Sequence, residues 1–378
     1  LLDPLALLIK RQNTRRRDRA VSSESESHPD QSKKERMRRH NHLFEKIVTI
    51  ENLRLAFKRA SKGKHWQRSI KLFKEDAETK LVAIRELLLS KTYKPSLYRT
   101  KQIYIPKTRT IYIAPFSPDR VIHHAIMNVL EPILEKLFIH DSYACIKGKG
   151  LHLGSKRTME FVRRNKYFLK CDISKFYPSM KHDVLYRVIQ KKIKCKDTLA
   201  LMKDIIYSVP DGQNVPIGNF TSQWFGNIYL HELDMRAKHV YRVKHYLRYC
   251  DDFLFFSNDK KQLREIAKDL KVYLADELGL KMSKCELAPV TQGVDFLGYR
   301  HFPKYVLLRR ATAIRIKRRL KILPRLFKAG RITMEQFRSS IASSTGWMKW
   351  ANTWNFGLKT QIHQLLETYC GTQGAKAV

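Results

Sequence analysis

Two adjacent carboxylates, Asp251 and Asp252, stand between two apolar runs, Tyr246-Leu247-Arg248-Tyr249 before them and Phe253-Leu254-Phe255-Phe256 after. Both runs are short and rich in aromatic residues, so the segment reads as strand, turn, strand over 246–257. Charge left unpaired among such neighbours is expensive. The pair therefore calls for a cation. Successive strand residues face opposite ways, but at a hairpin turn both carboxylates can reach one metal ion or two. An Asp-Asp pair on its own is usually an exposed turn; the apolar flanks reverse that reading here.

A third acid, Asp172, closes another apolar run, Tyr167-Phe168-Leu169-Lys170-Cys171-Asp172-Ile173, expected to be a buried strand stopped at Tyr177-Pro178. If the two strands are neighbours, Asp172, Asp251 and Asp252 can hold two Mg²⁺ ions, with Mn²⁺ as a substitute, roughly 3.5–4 Å apart for in-line phosphoryl transfer.

Charge narrows the partner. The 378 residues carry 74 Lys and Arg against 35 Asp and Glu, a net charge of +39. Self-repulsion of that size favours a chain that lives beside a polyanion, and nucleic acid is the first choice. A membrane is not expected, because no apolar stretch approaches the roughly 18 residues that a span needs. Leu1–Ile9 makes a poor signal peptide, and the six cysteines form no C-x-x-C pair, so buried single thiols and a cytoplasmic location are expected.

Along the chain, residues 1–41 form a basic, Ser-rich tail expected to be disordered. The first residue is Leu, and Met37 opens a more ordinary sequence, so truncation at Met37 should leave activity intact. Apolar spacings of three and four from Leu43 to Leu89 predict helix. Gln102–Ile105 and Thr110–Ile113 predict a hairpin whose turn, Pro106–Arg109, carries Lys107 and Arg109. Helices are expected over 120–138, 184–207, 262–278, and from an Asn219 or Thr221 cap to about His239; short strands are expected over 293–308. In the last seventy residues Ile316, Leu320, Leu323 and Phe327, then Phe337, Ile341 and Met348, then Leu358, Ile362, Leu365 and Tyr369 predict three packed helices. Between Tyr299 and Arg331 there are twelve Lys and Arg and no acid, a face suited to a phosphate backbone.

Tyr249-Cys250-Asp251-Asp252 resembles the Tyr-x-Asp-Asp box of reverse transcriptases, and Asp172 with Phe176-Tyr177 resembles their first metal-binding motif. Pro216-Ile217-Gly218-Asn219-Phe220-Thr221-Ser222-Gln223-Trp224 stands where that family has its Gln-Gly-x-x-x-Ser box. Leu280–Lys284 and Phe296–Tyr299 are similar to the two motifs that follow, and the order holds over about 45–370. The resemblance implies an α+β right-hand polymerase with an antiparallel palm sheet and a helical thumb. The expected divisions are a tail over 1–41, N-terminal helices and fingers over 42–166, a palm over 167–305 with a helical insertion at about 184–216, and a thumb over 306–378.

It also implies roles. Asp172, Ile173, Asp251 and Asp252 would hold metal, and Lys107 and Arg109 would grip the triphosphate, unless they are ordinary turn cations. Ile173, Phe176, Tyr177, Ile217, Gly218 and Gln223 would contact the incoming nucleotide. Tyr177 would exclude a 2′-hydroxyl, its alternative being a packed core residue. Lys284 would protonate pyrophosphate, with Lys281 competing and a surface lysine as the plain alternative. Gly298 would admit the primer strand or simply serve a turn.

Ile217 in place of Gln is similar to the reverse transcriptases of diversity-generating retroelements, which copy template RNA with errors opposite adenine. This implies template RNA, cDNA and dNTPs as partners, together with a small basic accessory protein that forms an oligomeric helical barrel. Only Gly371–Val378 follows the thumb, so no appended protease, RNase H or endonuclease is expected. The alternatives are a more faithful intron-type or retron-type enzyme, or a catalytically silent RNA-binding scaffold.

Overall fold

The helical spacing from Leu43 to Leu89 folds into four helices, α1 (Phe44–Ile47), α2 (Ile50–Ser61), α3 (Arg68–Glu75) and α4 (Ala77–Leu89). The computed structural model describes residues 39–104, 107–210, 212–362 and 364–365; the expected disordered tail lies outside them up to residue 38. Thr49 caps α2 by accepting from the Asn52 N–H. Leu53, Ile70, Phe73, Leu81, Ile84 and Leu88 turn inward to the main core. The expected hairpin follows as β1 (Arg99–Ile103) and β2 (Arg109–Ile113), with Ile103 opposite Arg109. α5 (Val121–Glu135) buries Val121, Ile122, Ala125, Ile126 and Leu130 in the same core.

After α6 (Leu151–Arg164) comes β3 (Tyr167–Ile173), a central strand in an antiparallel sheet ordered β4-β5-β3-β6, where β4 is His245–Tyr249, β5 is Asp252–Ser257 and β6 is Met282–Pro289. Side chains alternate between its faces. Leu169, Cys171, Ile173, Tyr246, Phe253 and Phe255 join the main core. Phe168, Leu247, Leu254 and Phe256 pack on the other face with Phe161 of α6. Cover on both faces explains why these strands read as near-continuous apolar runs. β6, absent from the sequence reading, lies at the sheet edge with Ser283 to Glu286 all exposed, so it lacks an apolar signature.

Between β3 and β4 run α7 (Phe176–Ser179), α8 (His182–Gln190), α9 (Lys196–Ile206), α10 (Phe220–Tyr229) and α11 (His231–Met235). Three local expectations change. Pro178 does not stop the strand: β3 ends at Ile173, Lys175 turns the chain with φ +44°, and Pro178 lies inside α7. The helix expected over 184–207 is two, parted at 191–195. Asn219 precedes α10 without capping it: its Nδ2 donates to the Tyr98 hydroxyl, and its Oδ1 accepts no hydrogen bond from the helix.

α12 (Lys260–Asp276) is capped by Asp259 and leads through β6 to a small sheet of β7 (Val294–Phe296), β8 (Tyr299–His301) and β9 (Val306–Leu308). α13 (Arg310–Lys328), α14 (Met334–Met348) and α15 (Trp354–Thr360) then enclose a separate core of Ile316, Leu320, Leu323, Phe337, Ile341, Met348 and Ile362. Leu358, expected inside, is exposed, and Gln361 ends α15 at φ +54°; Tyr369 lies outside the described residues. The β7–β8 turn uses Leu297 at φ +52° and Gly298 at φ +82°. A Cβ at Gly298 would sit 2.6 Å from the Trp347 ring of α14, so the glycine is needed for both conformation and space.

Candidate active site

Sheet register brings the three acids together. Asp172 lies directly opposite Asp252 on β5, and Asp252 opposite Tyr249 on β4, which leaves Cys250 and Asp251 as a two-residue turn. On its other side Asp172 faces Lys284 of β6. The register slips between Asp172 and Ile173, and Ser283 there donates its hydroxyl to Asp172 Oδ2 at 2.6 Å. A bulge of this kind re-aims a side chain beside a site. Asp172 and Asp251 both reach a cleft beside the sheet.

The turn itself is braced from below. Cys250 holds φ +53°, an uncommon conformation for a residue with a side chain. Arg248, wholly buried, donates Nη1 to the Cys250 carbonyl at 3.2 Å and to Asn227 Oδ1 at 3.1 Å. Its Nε and Nη2 donate to the two Asp234 oxygens at 2.8 and 2.6 Å, and the Tyr246 hydroxyl donates to Asp234 Oδ1. An ion pair is tolerable here because both Asp234 oxygens and the guanidinium are hydrogen-bonded.

A cleft of about 690 Å³ opens above the turn. Lys107, Arg109, Asp172, Ile173, Phe176, Tyr177, Ile217 and Asp251 line it, together with Tyr112, Asn214 and Ser283, which the sequence reading did not single out. The hairpin is fixed over the cleft by the 214–218 segment. Tyr112 N–H donates to Ile217 carbonyl at 2.8 Å, and Asn214 Nδ2 donates to the Tyr112 hydroxyl at 2.9 Å. Gly218 belongs to this joint: at φ +129°, its Cβ would fall 2.2 Å from the Tyr112 carbonyl oxygen.

Asp252, Gly218, Gln223 and Lys284 stand outside the cleft lining. Gln223 and Lys284 are exposed on α10 and β6. Of the motif residues, Ser283 could have been found, since it falls within Leu280–Lys284. Arg248 carried a fainter signal, a lone cation inside an apolar strand.

Electrostatics fit a cation site. Burial raises the Asp251 carboxyl, the charge of Asp172 adds to this, and Arg109 and Lys107 pull it back. Burial likewise pushes Asp252 up to about 6, with Asp172 and Asp251 adding to the rise and Lys170 opposing it. Neither carboxylate makes an ion pair with a described residue. Among the described residues no three acid, His or Cys side chains are already gathered as ligands, and Asp172 is engaged by Ser283. Buried, mutually repelling oxygens of this kind are the donor set that hard divalent cations take.

Residues 99–301, more than half the chain, match the family model described as reverse transcriptase (RNA-dependent DNA polymerase). The chain belongs to the reverse transcriptase family. Its mixed helices and antiparallel sheets are those of a right-hand polymerase fold, with the carboxylates on the four-stranded sheet. Protein YkfC of Escherichia coli is 25% identical over 58% of this chain and 70% of its own length. The retron Ec73 reverse transcriptase of Escherichia coli is 28% identical over 43% of this chain and 57% of its own. The group II intron-encoded protein LtrA of Lactococcus lactis is 22% identical over 59% of this chain and 50% of its own length. Among the described residues of this reverse transcriptase, no helix is long and apolar enough to cross a membrane.

Proposed function

We propose that the chain copies a retroelement template RNA into cDNA, with frequent errors opposite adenine, as part of targeted gene diversification. The observation that carries the polymerase reading is the cleft itself, in which Lys107 and Arg109 face Asp172 and Asp251. The two cations would bind the phosphates of an incoming dNTP, the guanidinium in bidentate fashion. Asp172, Asp251 and Asp252 would hold Mg²⁺, which when bound supplies activation of the primer 3′-hydroxyl and charge neutralisation at the triphosphate. Tyr177 lies against Gly226 in the cleft wall, where its ring would exclude a 2′-hydroxyl. Lys284, on the same sheet face as Asp172, would donate a proton to the leaving pyrophosphate.

Ile217 supports the error-prone reading. It lines the cleft with a side chain that can neither donate nor accept, so a mispair there loses no hydrogen bond that a Gln would have checked. The partners in this reading are template RNA, its cDNA and a small basic accessory protein forming a helical barrel; RNA would bridge the two basic surfaces. The retron and intron-encoded relatives favour a second reading, a more faithful bacterial enzyme. Primer extension on a defined RNA decides both. Activity lost in the Asp251→Ala, Asp252→Ala enzyme is expected; activity retained there would sink the polymerase assignment. Substitutions clustered opposite template adenine, and reduced by Ile217→Gln, separate the error-prone enzyme from the faithful one.

A further inference from the structure

Asn214 holds its backbone at φ +81°, a left-handed conformation that residues with a side chain rarely adopt. Its neighbours fix it there. The Asn214 N–H donates to the Met180 carbonyl at 2.9 Å, and the Asn214 carbonyl accepts from His182 Nε2 at 3.0 Å. The Val215 N–H donates to the Tyr177 carbonyl at 3.0 Å, so this loop is stitched to the segment that follows Asp172. A glycine would adopt the same φ without the strain of a Cβ. What the asparagine adds is its side-chain amide, and that amide reaches the β1–β2 hairpin: Nδ2 donates to the Tyr112 hydroxyl at 2.9 Å.

The hairpin depends on such ties. β1 and β2 form a two-stranded sheet, and every residue of β1 is exposed. A two-stranded ribbon is marginal on its own, so its place over the cleft is set by what holds it. Tyr112 makes two of these contacts, one through its hydroxyl and one through its N–H, which donates to the Ile217 carbonyl at 2.8 Å. Its ring also packs edge-on against Tyr98, with centroids 5.9 Å apart. Arg109 lies three residues nearer the hairpin tip on β2, a reach of about 10 Å. A tilt at Tyr112 is therefore carried outward to Arg109 and Lys107.

We infer that Asn214 is a positioning residue for the incoming nucleotide: through the Tyr112 hydroxyl it sets where Arg109 and Lys107 stand over Asp172 and Asp251. The inference rests on the polymerase reading, in which those two cations take the triphosphate. A misplaced grip weakens nucleotide binding before and during the chemical step alike, so its mark is a raised dNTP KM rather than a lowered kcat.

Steady-state extension of a primer on a defined RNA, with the full chain in Mg²⁺, tests this in Asn214→Gly, Tyr112→Phe and the double variant. Each single variant should raise the dNTP KM about three- to tenfold, the worth of one hydrogen bond. Its kcat and its KM for template-primer should stay within about twofold of wild type. The double variant should be no worse than either single one, because both remove the same contact. Asn214→Gly, relieved of its strained Cβ, should melt no lower than wild type. The inference is overturned by an unmoved dNTP KM in either single variant, by effects that multiply in the double one, or by a rise in dNTP KM matched by one for template-primer. A lower melting temperature in Asn214→Gly would make the residue structural and overturn it too. Tyr112→Phe keeps the ring and the N–H contact, so it decides the matter even where Asn214→Gly folds poorly. A wild-type chain that extends no primer removes the polymerase reading and this inference with it, whereas an active chain with an unmoved KM in the variants removes the inference alone.

Discussion

The guanidinium of Arg248 holds the carbonyl of Cys250 at 3.2 Å from a side chain with no solvent exposure. That one bond connects the core ion pair with Asp234 to the turn that presents Asp251. Removing one member of a buried pair strands the other, at a cost of about 3–5 kcal/mol. Arg248→Ala should lower unfolding stability by that amount in urea titrations. Arg248→Lys keeps a charge for Asp234 but lacks the fork that reaches both Asn227 and Cys250. Its kcat should fall on the order of tenfold with little change in dNTP KM; a kcat equal to wild type would remove the bracing role.

Neutralising Asp252 should make the cation-free fold more stable. Burial and the neighbouring acids raise its carboxyl to about 6, so at pH 7 the cation-free protein carries a charge that its surroundings disfavour. Asp252→Asn should therefore stabilise the chain by about 1–3 kcal/mol in EDTA. Adding Mg²⁺ should raise the melting temperature of the wild type and not that of the variant. A variant less stable than wild type in EDTA would contradict the electrostatic reading.

Acid should destabilise the fold through buried histidines. The His301 Nδ1–H donates to the Val294 carbonyl at 3.1 Å, and Nε2 is hydrogen-bonded with the Ser155 hydroxyl at 2.8 Å in a site sealed from water. Burial lowers His301 to about 4, and His123 and His231 likewise. Between about pH 4 and the ordinary value of 6.5 the unfolded chain binds protons that the folded chain refuses, so stability rises with pH across that window. Each ring contributes at most about 3 kcal/mol. Asp252 has the opposite sign, since its raised carboxyl favours the folded form as pH falls through 6. Urea midpoints at pH 4.5, 5.5 and 7 should climb, and His301→Gln should flatten the slope; a flat wild-type profile would refute the assignment.

The exposed cations of α13 should govern salt dependence. Lys317 and Lys321 are both solvent-facing in the acid-free stretch. If each meets one phosphate, the Lys317→Glu, Lys321→Glu enzyme should bind template-primer more weakly at every sequence. Its log Kd against log salt slope should shrink by about 2. Fluorescence anisotropy between 50 and 200 mM salt measures this, and an unchanged slope would move the binding face elsewhere.

The three acids were legible because each ends or interrupts an apolar run, where solvation alone marks it as unusual. The hairpin with Lys107 and Arg109 was legible from strand-like residues around a Pro-containing turn. β6 was not, because an exposed edge strand has no apolar face to reveal it, and with it went the Ser283 bond to Asp172. The Arg248–Asp234 pair spans a helix and a strand, and the Gly218 joint depends on a strand a hundred residues upstream. Local periodicity contains neither relationship.

Gly298 and Trp347 meet where the palm's last strands give way to the thumb, with room for a hydrogen and none for a methyl group. Neither position is free to drift alone. A lineage that acquired a side chain at 298 would have to shrink the ring at 347 or accept a thumb tilted away from the palm. The two positions should therefore change together among descendants of this enzyme, and thumb angle, with the length of duplex it holds, should be inherited through that pair.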